Sequence, residues 1–530
     1  MNARESRGEA LAQGALVAAT LALALTLLWP APAADAPIPG QGALSAAAQA
    51  FARVTYDDGY YYLEIARHVA QGQGSSFDGL HPTNGYHPLW MLMLVPIAGG
   101  AQEVGLRLVL AGALQLLLSA AGVLAAYRSA RVCVGVPAAT LAALCWLQYA
   151  FSYRATLSGL EFALQALLLF SVARLQARAW LAGRLSPAQA LSLGLLLAAL
   201  FLARLETVVL GLLVCAAWAA RLRATPQRAS ALLRLCLPLG VTLVACGLLG
   251  TWLFGQALPV SAHMKREWSQ ALLLADPILA RHGRLAAELA DALWPVFHQK
   301  RSLWLYLALG LLGPALLLAL PRTRAALRGL MPLVLFGWLQ YVAAVALYHG
   351  GYAFQPWYYL APAWLACLLV AHAAQQVAEH WPRAGRLGTY AACAALLVFS
   401  LSTAARARSD RLAAGEPLHA AANWAREHVP PGERIGAWNA GGTAFFSGRT
   451  VVSLDGLVNS WPYALHERFA LCEYWRQNDV RYLVDAFESA DRFGYLHQPL
   501  PCLEGREPIW IGPRFPNSPR WRVEAYLLPR

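Results

Sequence analysis

Residues Thr55–Trp90 read TYDDGYYYLEIARHVAQGQGSSFDGLHPTNGYHPLW. Two adjacent carboxylates, Asp57 and Asp58, precede the tyrosine run Tyr60, Tyr61 and Tyr62. Upstream, Ala10 to Trp29 carries no charge over about 20 residues, the length that crosses a bilayer core. That run exceeds the roughly 7–15 apolar residues of a secretory signal. It reads as an uncleaved signal anchor in spite of the small residues Ala31-Pro32-Ala33. The acid pair then follows a membrane anchor, and chemistry is expected there.

Of 530 residues, 58% are hydrophobic and 13% charged, with mean hydropathy +0.43. A soluble domain of this size rarely has such values. The formal charge of +13 would suit a nucleic-acid binder, but the basic residues sit in short clusters between apolar runs. That pattern marks the cytoplasmic loops of a polytopic membrane protein, so no nucleic-acid partner is expected.

Apolar segments recur at Val104–Ala126, Val136–Ser152, Leu157–Val172, Pro187–Ala203, Val208–Trp218, Leu232–Phe254, Ser302–Leu320, Leu330–Leu347, Trp357–Ala371 and Gly388–Ser402. With the anchor they predict about eleven spans. Arginines mark alternate turns: 128 and 131; 174, 178 and 184; 221, 223, 228 and 234; 322, 324 and 328; 383 and 386. The positive-inside rule makes those turns and the N-terminus cytoplasmic. An odd number of spans then leaves the C-terminus outside, with the first loop (31–100), the Pro259–Arg301 loop and the Tyr348–Trp357 loop.

Between Gly79 and Arg266 the acids are Glu103, Glu161 and Glu206, the last two expected near outer helix ends. Ionisable groups at membrane depth are functional candidates, yet each has an arginine neighbour, Arg154 or Arg204, with which to pair. Lys265 and Lys300 are the two lysines among 42 basic residues. Lys265 is either a chance surface lysine or a cation for a lipid phosphate near the membrane surface.

After about Ala404 the chain becomes richer in charge. PLHAAANWAREHV reads as an amphipathic helix, PPGERIGAW as a turn into a strand, TVVSLDGLVN as strand and turn, Tyr463–Arg476 as a helix and RYLVDAF as a buried strand. The division is a membrane domain over 1–404 and a small extracytoplasmic α/β domain over 405–530. Seven cysteines lie in or beside spans and read as packing residues, whereas Cys472 and Cys502 would meet an oxidising compartment and could pair. CxxC, HExxH, Walker and nucleophile-elbow signatures are absent from the sequence.

The segments DDGYYYLEIARHVAQGQG, FDGLHPTNGYHPLW, SGLE, LPVS with Lys265, and IGAWNAGGTAFFSGRTVVSLDGLVNS together resemble bacterial glycosyltransferases of the GT-C superfamily. Those integral membrane enzymes are related in fold to protein O-mannosyltransferases, aminoarabinose transferases and mycobacterial arabinosyl or mannosyl transferases. The resemblance implies a polyprenyl-phosphate-linked sugar donor, an acceptor outside the cytoplasm (glycan, lipid or protein), and residence in the inner membrane. It also implies an acid base in the first outer loop. Matching the pair to the superfamily's Asp-Glu form puts the base at Asp57, with Asp58 in the second position, where many relatives have Glu. Some relatives use a divalent cation and others none. His81 and His87 with Asp57 fit no standard metal site, so no metal ligand is assigned.

A sugar hydroxyl needs a carboxylate to accept its proton as it attacks the anomeric carbon, and the departing phosphate needs fixed cations, here Lys265 and Arg204. Tyr61, His87, Trp357 and Tyr358 are candidates for stacking and hydroxyl contacts, or members of an interfacial aromatic belt. Glu161 and Glu206 join the substrate candidates. Asp455 and Asn459 either touch the acceptor or form a turn at Asp455-Gly456. A secondary transporter would show inverted repeats with interrupted helices, whereas these acids gather at one face. A non-catalytic envelope scaffold would not require Asp57.

Overall fold

Helices Val104–Ala130, Val136–Ser152, Phe162–Leu181, Pro187–Ala203, Val208–Arg221 and Arg228–Phe254 follow one another with turns of a few residues. Turns that short cannot carry the chain back along a bundle, so successive helices run in opposite directions. Arg128, Arg131, Arg178 and Arg221 thereby gather at one end of the bundle. The turns at 155–161, 204–207 and 255–259 gather at the other. The first helix, Ala3–Leu28, fits this arrangement: Glu9 near its start meets Arg131 at 2.6 Å, and Gln13 accepts from Arg128 at 2.9 Å. This computed structural model describes residues 3–29, 45–152, 155–226, 228–274, 308–314, 327–347, 356–486, 502–514 and 522–529.

Local chemistry fixes where these helices start. Ser186 caps the Pro187 helix with a reciprocal Gln189 contact and proline at the first turn. Pro88 similarly opens Pro88–Gly100. Within the bundle the aromatic residues pack closely. Trp146 stacks on Phe162 at 5.6 Å and meets Phe170 edge-on at 4.7 Å, and Phe170 lies 4.6 Å from Trp364. On Arg228–Phe254, by contrast, Leu233, Leu237, Val241, Val244, Leu248 and Trp252 are exposed at intervals of three and four. An apolar stripe of that length suits lipid rather than water.

By length and composition, five described helices can cross a membrane: Ser6–Leu28, Val104–Ala130, Arg228–Phe254, Leu360–His380 and Pro382–Arg406. Pro88–Gly100, Val136–Ser152, Pro187–Ala203 and Met331–Ala343 are apolar but shorter. The expected total of about eleven is not established by the described residues, and the expected span Ser302–Leu320 is described only at 308–314. Lys300 lies outside the described residues.

Helix Pro382–His428 runs on through 404/405 into the C-terminal domain, where Trp424 stacks on Trp510 at 5.4 Å. The domain is built on a five-stranded sheet in the order β2-β1-β3-β5-β4. Its strands are β1 (Arg434–Ala437), β2 (Thr450–Ser453), β3 (Val480–Ala486), β4 (Trp510–Arg514) and β5 (Arg522–Leu527). β1 pairs in parallel with β2 and β3, Ile435 opposite Val451 and Tyr482, while β5 is antiparallel to β3 and β4. Helix Ala440–Ser447 makes the crossover from β1 to β2 and stops at Gly448, φ +65°.

The helix expected over Tyr463–Arg476 is divided into Trp461–Leu465, a 3-10 turn at Glu467–Phe469, and Leu471–Gln477. The break turns buried Arg468 toward Glu267 of the membrane domain, 3.1 Å away. Cys472 and Cys502 are disulfide-linked, Cα atoms 5.8 Å apart, tying Leu471–Gln477 to the turn before β4.

Candidate active site

Helix Asp57–Ala70 crosses the 155–161 turn at two glycines. A Cβ on Gly59 would lie 2.8 Å from the Ser158 carbonyl oxygen, and one on Gly159 2.8 Å from the Gly59 Cα. Gly159 also has φ +86°, a conformation glycine adopts without steric cost. The Tyr56 amide donates to Ser158 O at 2.8 Å just before the helix begins. This close crossing brings Asp58 beside Glu161.

Successive helical residues point about 100° apart, and Asp57 and Asp58 have different partners. Asp58 lines an open cavity together with Tyr61, Tyr62, His87, Glu161, Arg204, Lys265 and Trp357. Asp57 points toward the C-terminal domain. Its Oδ1 accepts from the Gly442 amide at 2.7 Å and its Oδ2 from the Gly441 amide at 3.1 Å. Desolvation pushes the Asp57 carboxyl up to about 7, opposed by these two amides. Burial also raises Asp58, while the Lys265 ammonium pulls it down and Glu161 adds to the rise.

Lys265 comes from helix Val260–Leu274, which follows Pro259; Ser261, one turn earlier, lines the same cavity. Burial works against the Lys265 charge, yet Tyr358 and Asp58 hold the ammonium above the ordinary lysine value. The Arg204 guanidinium is already engaged. It donates to Glu161 Oε1 and, at 2.6 Å, to Glu206 Oε1, and it lies 4.8 Å over the Tyr358 ring. Glu161 further accepts from the Tyr62 hydroxyl at 3.1 Å and stands 3.6 Å from His87 Nε2. Burial lowers His87, favouring its neutral imidazole.

The cavity thus gathers Asp58, Tyr61, His87, Glu161, Arg204, Lys265 and Trp357 of the residues singled out in the sequence. Glu206 and Tyr358 sit behind it as partners of Arg204. Asp455 and Asn459 are buried off the cavity and bond inward. Asp455 accepts from Tyr61 at 2.9 Å, Ser453 at 2.6 Å and the Leu457 amide at 2.9 Å. Burial pushes its carboxyl up to about 7. Asn459 donates to Ser453 O at 2.7 Å and lies 3.0 Å from the Tyr474 hydroxyl.

Sequence reading missed Ile65, Gly85, Tyr86, Leu160, Ser261, Leu457 and Val458, which complete the lining. Ser261 had a signal, its i,i+4 spacing to Lys265. The wall formed by Leu457 and Val458 had none, because it depends on how two domains meet.

His81 is bonded at both ring nitrogens, Nδ1 to Asp78 at 2.6 Å and Nε2 to Asn478 at 2.8 Å. Among the described residues no group of three or more His, Cys, Asp or Glu is arranged to hold a metal ion.

A family model described as a domain of unknown function, DUF8728, matches residues 405–523. No curated protein matches in sequence. Among solved structures the chain is similar to the archaeal oligosaccharyltransferase AglB from Archaeoglobus fulgidus in complex with an inhibitory peptide and a dolichol-phosphate. Identity is 14% and TM-score 0.53, over 90% of this chain and 69% of that one. An Archaeoglobus fulgidus oligosaccharyltransferase tethered with an acceptor peptide gives 14% and 0.51, over 97% and 74%. ArnT from Cupriavidus metallidurans bound to undecaprenyl phosphate is a weaker likeness, 15% identical at TM-score 0.45, over 89% and 93%. With its apolar spanning helices, C-terminal sheet and this likeness across nearly its whole length, the chain has the GT-C fold of membrane glycosyltransferases.

Proposed function

We propose that the protein transfers one sugar from a polyprenyl-phosphate donor to an acceptor on the extracytoplasmic face of the inner membrane, with Asp58 as general base. The observation that carries this reading is a carboxylate and an ammonium, Asp58 and Lys265, facing one cavity at the end of the bundle opposite the arginine turns. Asp58 accepts the acceptor hydroxyl's proton as that oxygen attacks the anomeric carbon. The bond from that carbon to the phosphate oxygen breaks, and the phosphate leaves with the electron pair. A single displacement inverts the anomeric centre.

The developing charge on the phosphate is met by Lys265, a compact cation suited to that task. Arg204 is neutralised by Glu161 and Glu206, so its role is to hold Glu161 beside Tyr62 and His87. Asp57, the base implied by the resemblance, has both carboxylate oxygens on backbone amides and is the weaker candidate. Tyr61, His87 and Trp357 are the candidate contacts to sugar hydroxyls and ring faces.

The test is transfer of radiolabelled sugar from a panel of undecaprenyl-phosphate sugars by the full chain in vesicles. Asp58→Asn should lower turnover by roughly 10²- to 10⁴-fold, the share general base catalysis contributes. Turnover at the wild-type rate in that variant would sink the assignment, and no transfer from any donor would sink the function.

A further inference from the structure

We infer that Asp57 is a positioning residue, the anion that docks the membrane domain onto the C-terminal domain and thereby orients Asp58 toward the cavity. This rests on the reading of Asp58 as the base.

In open α/β sheets an anion binds where a helix begins beyond the carboxyl end of a strand. Here that location follows β1, at the start of helix Ala440–Ser447. The C-terminal domain prepares it from within. Buried Asp485 on β3 accepts from the Trp438 amide at 2.5 Å, the Asn439 amide at 2.6 Å and the Asn439 side-chain nitrogen at 2.8 Å. That fixes the turn immediately before Gly441 and Gly442. Their two amides, still without helical acceptors at the first turn, receive the Asp57 carboxylate. The anion place of this sheet is therefore filled by the chain's own membrane domain.

Gly441 is required by the closeness of the docking. A Cβ there would lie 2.2 Å from the Asp57 carbonyl oxygen, a backbone atom that cannot swing aside. One turn along the same helix, the Tyr61 hydroxyl reaches the Asp455 carboxylate at 2.9 Å and the Trp438 carbonyl at 3.3 Å. Helix Asp57–Ala70 is thus gripped at two points on one side. Asp58, about 100° round from Asp57, is left facing Lys265 and Glu161, the charged groups that most affect it. Adjacent acids divide the work: one fixes the helix and the other faces the substrate.

The experiment uses the full chain in detergent micelles, with amide hydrogen exchange over 438–445 and affinity for undecaprenyl phosphate measured against pH. Asp57→Asn and Gly441→Ala should each speed exchange over 438–445 by about tenfold or more, as loss of a charge-assisted hydrogen bond predicts. Asp57→Asn should weaken the lipid phosphate by a similar factor above about pH 7, where the wild-type carboxyl is ionised, and by less below it. Gly441→Ala should weaken it across the range, and the double variant should be no worse than the weaker single. Asp58→Asn should leave exchange at the wild-type rate and alter the pH dependence of binding.

Wild-type exchange in both Asp57→Asn and Gly441→Ala, or additive losses in the double variant, would overturn the docking role. So would an Asp57→Asn variant that alters the pH dependence while leaving exchange untouched. If Asp58→Asn leaves the pH dependence as in wild type, the base assignment fails while the exchange measurement still decides Asp57.

Discussion

At Asp58, burial and Lys265 act in opposite directions on the same carboxyl. Burial raises it because the charged form loses water, and the ammonium lowers it by attraction. A base must be ionised to work, so under the proposed role the acid limb of the pH–rate profile follows Asp58. Removing the cation in Lys265→Ala leaves burial and Glu161 unopposed, which raises Asp58 further. The limb should then move to higher pH, and the plateau should fall because the leaving phosphate has lost its partner. Initial rates of sugar transfer from pH 5 to 9 in both proteins check this, and an unmoved limb would separate Lys265 from Asp58.

The element that sets the site is helix Asp57–Ala70, held against the 155–161 turn by the Gly59–Gly159 crossing. Gly59→Ala would bring a methyl to 2.8 Å from Ser158 O, a backbone oxygen, so helix and turn must separate. Overpacking of this kind costs about 1–3 kcal/mol. Thermal unfolding in detergent should show a lower midpoint, and turnover should fall because Asp58 and Glu161 move apart. A second element, Leu471–Gln477, is anchored by the Cys472–Cys502 bond, which closes a loop of 30 residues. Cys472→Ser should destabilise the C-terminal domain by about 2–4 kcal/mol. Denaturant unfolding followed by Trp fluorescence, with and without reductant, reads that loss, and reductant should change wild type but not the variant.

For the molecule as a whole, the arginine turns and the cavity occupy opposite ends of one bundle. If the arginine end is cytoplasmic, the C-terminal domain is extracytoplasmic and its disulfide lies in an oxidising space. An alkaline phosphatase fused after Arg530 should be active and a green fluorescent fusion dark. The opposite pair of results would move the cavity and the C-terminal domain to the cytoplasmic side.

The sequence by itself determined what depends on composition and short-range order. Uncharged runs and short turns gave a back-and-forth helical bundle, and alternating β-rich segments gave a small sheet domain. The neighbourhood of Asp57, Asp58, Glu161 and Lys265 was also legible, since each stands near a helix end at one side of the bundle. Tertiary structure alone decided which acid of the pair meets the cavity. Two neighbouring side chains are equivalent in sequence, and only the approach of Gly441 and Gly442 from a distant domain makes one of them a structural anchor. It also decided that Arg204 is spent on two carboxylates, that Asp455 and Asn459 face inward, and that Leu457 and Val458 form a wall. The choice between the two acids and the Leu457–Val458 wall follow from contacts between residues hundreds of positions apart, and the Arg204–Glu161 pair joins residues 43 apart, none of which periodicity and spacing encode.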